Sequence, residues 1–320
     1  MATAARYLAA SVFFLAVTFS HGQEYPAKPV RLVAADAGGG GDVAARLIAQ
    51  GMAGGLGQPV IVDNRGGAAG MIAAQTVARA APDGYTLLIY SGTVWILPFL
   101  RSNVPYDPVK DFLPITLAVN APNILVVHPS LPVKSVKDLI TLARSKPGML
   151  NYGTTGPGST SHLATELFKA MAGVDIVTIS YKGTSIALND LIRGQLQLMF
   201  TSPGGAMAHI NSGRMRALAV TTLKPSVLLP GLPTVAGTGL PGYESSANLA
   251  MFAPAKTSGA ILSRLNLEAV RVLGGTEVKE KLLVAGWEVV GSTAEQLTAI
   301  MASDMAKIGK LIRDKGIRAE

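Results

Sequence analysis

Two stretches of this 320-residue chain set residues capable of holding an anion beside flexible backbone. The first, AADAGGGGDVAARL from Ala34 to Leu47, puts four consecutive glycines between a short apolar run and a helical pattern, with an acid on each side. The second, YGTTGPGSTSHLATELF from Tyr152 to Phe168, offers Thr154, Thr155, Ser159, Thr160 and Ser161 around another glycine-rich turn, again just ahead of a helix. Glycine lets backbone approach a ligand closely, and a helix start presents N–H groups to a negative charge. Hydroxyls add neutral donors suited to a carboxylate. One of Ser159 and Thr160 is also expected to cap the helix that follows.

Other chemistries fit the residues less well. Gly39-x-Gly41-x-x-Ala44 after a strand, with Asp63 about 20 residues on, imitates the dinucleotide-binding fingerprint. Asp42, however, sits at the helix start where a pyrophosphate would have to lie, and like charges repel there. The G-x-x-x-x-G-K-[ST] phosphate loop and the G-x-S-x-G nucleophile elbow are both missing from the sequence. His162 neighbours Ser159 and Ser161 only in sequence, whereas catalytic triads assemble in space, so a structural histidine near a helix start is the expectation. With His128 and His209 far from it and no His/Glu spacing motif, no metal site is indicated.

The elements that must position the two loops follow from periodicity. VRLVAA, PVIVDN and YTLLIYSG read as strands, with DVAARLIAQGMAGGL (Asp42 as N-cap) and AAGMIAAQTVARAAPDG as helices between them. The pattern restarts near Asn123: strands ILVVHP, LNYGTTGPG, DIVTISYKG, LQLMFTSP and ALAVTT alternate with helices SVKDLITLARSKPG (capped by Ser135), SHLATELFKAMAG and SIALNDLIRGQ. YESSANLAMFAPA is one long extended run, and SGAILSRLNLEAVRVLG and TAEQLTAIMASDMAKIGKLIRDKG are helices with apolar faces. Strand–helix repeats of this kind predict α/β units with parallel sheets. Two units without a flexible linker predict crossover strands, and two glycine loops, one per unit at a strand C-terminus, predict a cleft between lobes.

Composition narrows the setting. The first residues combine Arg6, an uncharged run from Tyr7 to Phe19 and a small-residue exit at Ser20-His21-Gly22. That is the layout of a secretory signal peptide cleaved near Gly22, and the run is shorter than the ~20 residues of a membrane span. Export to the periplasm as a soluble protein is the expectation. No cysteine occurs, so disulfides, thiolate catalysis and cysteine metal sites are excluded. Removing Arg6 leaves 27 basic against 20 acidic residues, a net charge of +7. The basic residues are scattered, which gives no support for nucleic-acid binding.

The segments YPAKPVRLV, GGGGD, LGQPVIVDNRGGAAG, APDGYTLL, YDPVKDFLPIT, KPGMLNYGTTGPGSTSHLATELF, YKGTSIALNDLIRGQLQLMF, SGRMRALAVTT and LPTVAGTGLPGYE occur in this order along the chain. Together they resemble the Bug-type receptors, the extracytoplasmic solute-binding proteins of tripartite tricarboxylate transporters. The resemblance implies a two-domain Venus-flytrap α/β fold, each domain a mainly parallel sheet flanked by helices, joined by two crossover strands. It divides the chain into a signal peptide (1–22), domain 1 (23–119 plus 247–320) and domain 2 (120–246), with hinges near Thr116 to Pro122 and Tyr243 to Leu249. It implies no catalysis and no cofactor. The partners it implies are a small organic acid or amino-acid-like ligand and membrane permease subunits, or a sensor protein in a signalling variant, with the receptor itself a monomer.

Carried over residue by residue, the ligand site comprises Asp36, Ala37, Gly38, Gly39, Gly40, Gly41 and Asp42 of the first loop. From the second it takes Gly156, Pro157, Gly158, Ser159, Thr160 and His162, with Ser91, Tyr181 and Thr201 around them. Ser159, Thr160 and the Gly156 to Gly158 backbone are the foremost direct contacts, whereas Asp42 is expected to order its own loop. Departures from the family pattern bear on the ligand. Ala35 and Asp36 replace Pro-Phe, Gly40 and Gly41 replace residues that are often Ser or Thr, Thr201 replaces an Asp, and Thr178-Ile179-Ser180-Tyr181 stands for His-Val-Pro-Tyr. Asp36 has two readings, a loop carboxylate bonded to nearby backbone and a cleft residue paired with a ligand amine. Trp95 likewise is either a cleft residue or a packed core side chain.

Overall fold

The computed structural model describes residues 25–34, 37, 40–66, 70–181 and 183–318. The expected signal peptide and Ala35, Asp36, Gly38 and Gly39 lie outside the described residues. Short segments rich in Val, Ile and Leu form the first strands, β1 (Val30–Ala34), β2 (Val60–Asn64) and β3 (Thr86–Ser91). Between them run α1 (Gly40–Leu56) and α2 (Met71–Ala78). In α1, Ala44, Ala45, Ile48, Ala49, Met52 and Leu56 recur at helical spacing and are all buried against the sheet. The helix begins at Gly40, so Asp42 occupies its first turn rather than the N-cap position expected from sequence.

Of the elements absent from the sequence reading, two escape it because they are apolar on nearly every side. α3 (Thr93–Leu100) buries Val94, Trp95, Ile96, Leu97 and Leu100 and carries Pro98 inside it. β4 (Phe112–Pro122) is buried along most of its length. It tolerates Pro114 because the pairing slips by one residue there, between Thr116 opposite Met251 and Pro114 opposite Phe252. A bulge is one of the few places a sheet accepts proline.

The chain then builds a second sheet from β5 (Ile124–Val127), β6 (Asn151–Thr154), β7 (Val177–Ser180), β8 (Leu198–Thr201) and β9 (Arg216–Val220). Its helices are α4 (Val136–Ser145), α5 (Thr160–Ala172), α6 (Thr184–Ile192), α7 (Pro203–Asn211) and the short α8 (Val235–Thr238). Ser135 caps α4 as expected, its side chain accepting from the Asp138 N–H. The chain returns through β10 (Ser246–Pro254), α9 (Gly259–Gly274), α10 (Thr276–Val284), β11 (Glu288–Val289) and α11 (Ala294–Lys315).

The sheets run β11-β4-β10-β3-β1-β2 and β7-β6-β8-β5-β9. The expected parallel pairing holds within β2-β1-β3 and β7-β6-β8. It gives way where the crossover strands join: β10 is antiparallel to β3 and β4, and β5 to β8 and β9, so both sheets are mixed. A strand entering from the other sheet arrives at the end where the βαβ strands finish, so it runs against them. The chain passes to the second sheet at Asn123 and back between β9 and β10. α11 ties the two sheets: Leu297, Met301 and Ile312 sit in the core of the first, and Leu311 in that of the second.

Candidate functional site

The C-terminal ends of β3 and β6 face each other across a gap bordered by the β4–β10 crossover and by α11. On the first side, Ser91 Oγ donates to Thr93 Oγ1 at 2.9 Å, and the Gly92 N–H donates to the Asn248 carbonyl at 3.1 Å. This fixes the turn into α3 on the crossover strand. On the second side, β6 ends at Thr154 and the chain turns through Gly156 and Gly158, with φ of 120° and 78°. Both angles lie where only glycine is comfortable. Ser159 then caps α5, its Oγ accepting from the His162 N–H at 3.3 Å. Thr154 Oγ1 lies 2.9 Å from Ser159 Oγ and 3.2 Å from Ser161 Oγ, a closed set of hydroxyls that stiffens the loop.

Two adjoining cavities fill the gap. One, of about 290 Å³, is lined by Ser91, Gly92 and Thr93, by Gly158, Thr160 and Leu163, by Glu244 to Asn248, and by Ser303 and Asp304 of α11. The other, of about 630 Å³, is lined by Tyr90, Leu97, Arg101 and Arg318 and by Thr155 to Ser159. Thr93, Leu100, Gly158 and Thr160 border both. The charges divide between them: Glu244 and Asp304 line the first cavity, Arg101 and Arg318 the second.

Asp304 is the most perturbed acid of the site. Burial pushes its carboxyl up to about 6, and the nearby Glu244 charge adds to the rise. The indole N–H of Trp95, donated to Asp304 Oδ2 at 3.2 Å, and Lys307 on the same helix act in the opposite direction. Trp95 is fully buried, so of its two sequence readings the packed core side chain is the one observed.

Of the candidate contacts, Ser91, Gly158 and Thr160 line the smaller cavity, and Gly156, Pro157, Gly158, Ser159 and Thr160 line the larger. Ala37 lies in an exposed turn, and Gly40, Gly41 and Asp42 form the first turn of α1. The Asp42 carboxylate is engaged internally, accepting from Arg46 Nε at 3.1 Å and Asn64 Nδ2 at 2.9 Å. His162, Tyr181 and Thr201 border neither cavity. His162 supports the glycine loop from below: its Nδ1 accepts from the Gly158 N–H at 3.1 Å, and burial holds its pKa down, favouring the neutral ring this bond requires. Tyr181 donates its hydroxyl to Asp190 at 3.0 Å. Thr201 is 3% exposed, and its Oγ1 has no hydrogen-bond partner among the described residues.

Sequence reasoning missed Thr93, Glu244, Asn248, Arg101, Arg318 and Asp304. Asp304 carried a usable signal, an acid in the apolar stripe Ile300, Asp304, Ile308 of an amphipathic helix. The others lie at the ends of elements, on turns or, for Asn248, in the apolar crossover strand, where no periodicity marks a facing side chain.

The comparisons with known proteins agree with this architecture. Residues 44–317 match the model of the tripartite tricarboxylate transporter family receptor, TctC. The chain is 35% identical over 297 residues to the UPF0065 protein in the tcbD-tcbE intergenic region of Pseudomonas sp. (strain P51), covering 92% of this chain and 88% of that one. Among solved structures it resembles R. palustris Rpa4515 with adipate at a TM-score of 0.74 and 38% identity, covering 92% and 99% of the two chains. It resembles the periplasmic binding protein BugD at a TM-score of 0.71 and 33% identity, covering 92% and 100%. The chain belongs to the tripartite tricarboxylate transporter receptor family.

Proposed function

We propose that this protein is an exported solute-binding receptor that captures a small carboxylated metabolite between its lobes and delivers it to a tripartite tricarboxylate-type permease. The lobes are residues 23–119 with 247–320 and residues 120–246, and the ligand is released unchanged. The observation that carries this reading is the pair of adjoining cavities where the ends of β3 and β6 meet, one wall of which is the glycine loop and start of α5. The first N–H groups of a helix lack intrahelical acceptors, and α5 has no acid in its first turn to repel an anion. The Gly158, Ser159 and His162 N–H groups are donated within the loop, so a carboxylate placed here meets the Thr160 and Ser161 N–H groups and the Thr160 hydroxyl. The likeness to a chain solved with adipate supports the same ligand class. The arrangement of the N-terminal residues, read as a signal peptide, supports export to the periplasm.

Closure of the two lobes over the ligand is a hinge motion about the β4 and β10 crossovers. A thermal-shift screen of mono-, di- and tricarboxylates with the purified mature protein tests the reading. The expected result is a rise in Tm with a narrow set of acids that Thr160→Val weakens. A flat screen, together with turnover of an ester or phosphate, overturns it.

A further inference from the structure

The two cavities are not electrostatically equivalent. Among its described lining residues, the smaller one carries the carboxylates of Glu244 and Asp304 and no lysine, arginine or histidine. Its remaining polar lining is hydroxyl and amide, from Ser91, Thr160, Ser303 and Asn248 among others. Among its described lining residues, the larger cavity carries Arg101 and Arg318 and the glycine loop at the start of α5, and no acid. Gly158 and Thr160 form part of the wall between them. A ligand whose carboxylate rests on that loop therefore extends on one side toward cations and on the other toward two acids.

We propose that the receptor selects an amino-carboxylate, with its carboxylate at Gly158 to Thr160 and a terminal ammonium in the cavity lined by Glu244 and Asp304. This rests on the receptor reading above and specifies its ligand. A dicarboxylate extended the same way would bring a second negative charge against two carboxylates in a partly buried space, where charges are screened far less than in water. An ammonium there meets two acceptors, and the serine and asparagine oxygens complete its donors' needs. Burial and Glu244 hold Asp304 up, while Lys307 and the Trp95 N–H act against them, leaving it ionised above about pH 6. Asp304 and Glu244 are thus specificity-determining residues, one on the helix that spans the lobes and one just ahead of the returning crossover.

Matched pairs of ligands isolate this choice, because each pair differs only in its terminal group: succinate with 3-aminopropanoate, and adipate with 5-aminopentanoate. Titration calorimetry at pH 8 on the full mature protein is expected to show, in at least one pair, the amino acid binding about 30-fold more tightly than the di-acid. Asp304→Asn and Glu244→Gln, made separately so that a folding defect in one leaves the other, are each expected to reduce that preference about tenfold or more. If di-acids bind more tightly in both pairs and neither substitution changes the ratio, the ammonium assignment is overturned while the receptor reading stands. If none of the four binds, the ammonium assignment is overturned, and the receptor reading is decided by the wider carboxylate screen above.

Discussion

α1 and α5 each follow a strand and a glycine-rich turn, yet their first turns are built in opposite ways. The start of α1 carries Asp42, 7% exposed, whose carboxylate is taken up by Arg46 and Asn64. The start of α5 has no acid: Ser159 caps it, and Thr160 and the Gly158 backbone face the cavities. Positive potential at a helix N-terminus is available to a ligand only if the chain has not already placed a carboxylate there. The difference supports the proposed anion seat at the second loop and gives Asp42 a structural task.

The sharpest way to break the comparison is to give α5 the acid that α1 has. Thr160→Asp places a carboxylate at the first helical position, where it suits the helix dipole and leaves the fold intact. Affinity for whichever carboxylate the wild type takes is expected to fall about 100-fold, measured by titration calorimetry, with Tm nearly unchanged. Undiminished binding would show that the anion does not sit at this helix start.

Asp304 extends the contrast from helix starts to acids in general, because Asp42 has a guanidinium beside it and Asp304 has an indole. Burial raises the Asp304 pKa from 3.8 to about 6, with Glu244 contributing. The folded state therefore binds this proton more tightly than the unfolded state, and stability falls as pH rises from about 4 through 6. Asp304→Asn removes the cost and keeps an acceptor for the Trp95 N–H. The variant is expected to be more stable than wild type at pH 8, by about 2 kcal/mol, and equal to it near pH 4, read from urea unfolding midpoints. A destabilised variant at pH 8 would mean that the carboxylate is held by favourable contacts rather than penalised by burial.

Asp42→Ala tests the other acid. It leaves Asn64 Nδ2 without its acceptor and removes one partner of Arg46, which keeps its bond to Asn64 Oδ1 and is already 55% exposed at its side chain. A loss of about 1–2 kcal/mol in chemical unfolding is expected, with relative affinities for different carboxylates unchanged. Altered ligand preference would return Asp42 to the site.

Most of the longer helices and the parallel strands were legible from a buried face or a short run rich in Val, Ile and Leu: Val30, Leu32 and Val33 of β1, or Ile48 and Met52 along α1. α3 and β4 were not, since Trp95-Ile96-Leu97 is apolar throughout and the one polar residue of Ile115-Thr116-Leu117 is itself buried, and the short α7, α8, α10 and β11 were not read either. The loop at Gly156 to Thr160 announced itself through glycine and hydroxyl density at a strand end. Asp304 stood out only as an acid in an apolar stripe, because its environment is created by Trp95, more than two hundred positions away in the chain, and by the crossover at Glu244. Local residue types identify a seat for one end of a ligand, while the far end is set by segments that meet only in the folded molecule.

His162 gives the smallest and most conditional effect. Its ring is held neutral chiefly by burial, with Lys169 adding to the depression and Glu166 opposing it, and its Nδ1 accepts the Gly158 N–H that shapes the loop. A histidine whose folded pKa is lowered contributes stability that is present above its unfolded value near 6.5 and is lost as pH falls through the folded value. Asp304 acts in the opposite direction over an overlapping range, gaining stability as pH falls from about 6 toward 4. The two slopes partly cancel in the wild type, so His162→Gln is best compared in the Asp304→Asn background. There the parent is expected to lose stability between pH 7.5 and 5.5, and the glutamine variant to remain flat by comparison. Parallel pH profiles would mean that protonating His162 costs the loop nothing, and that Gly158 is positioned by its own backbone angle alone.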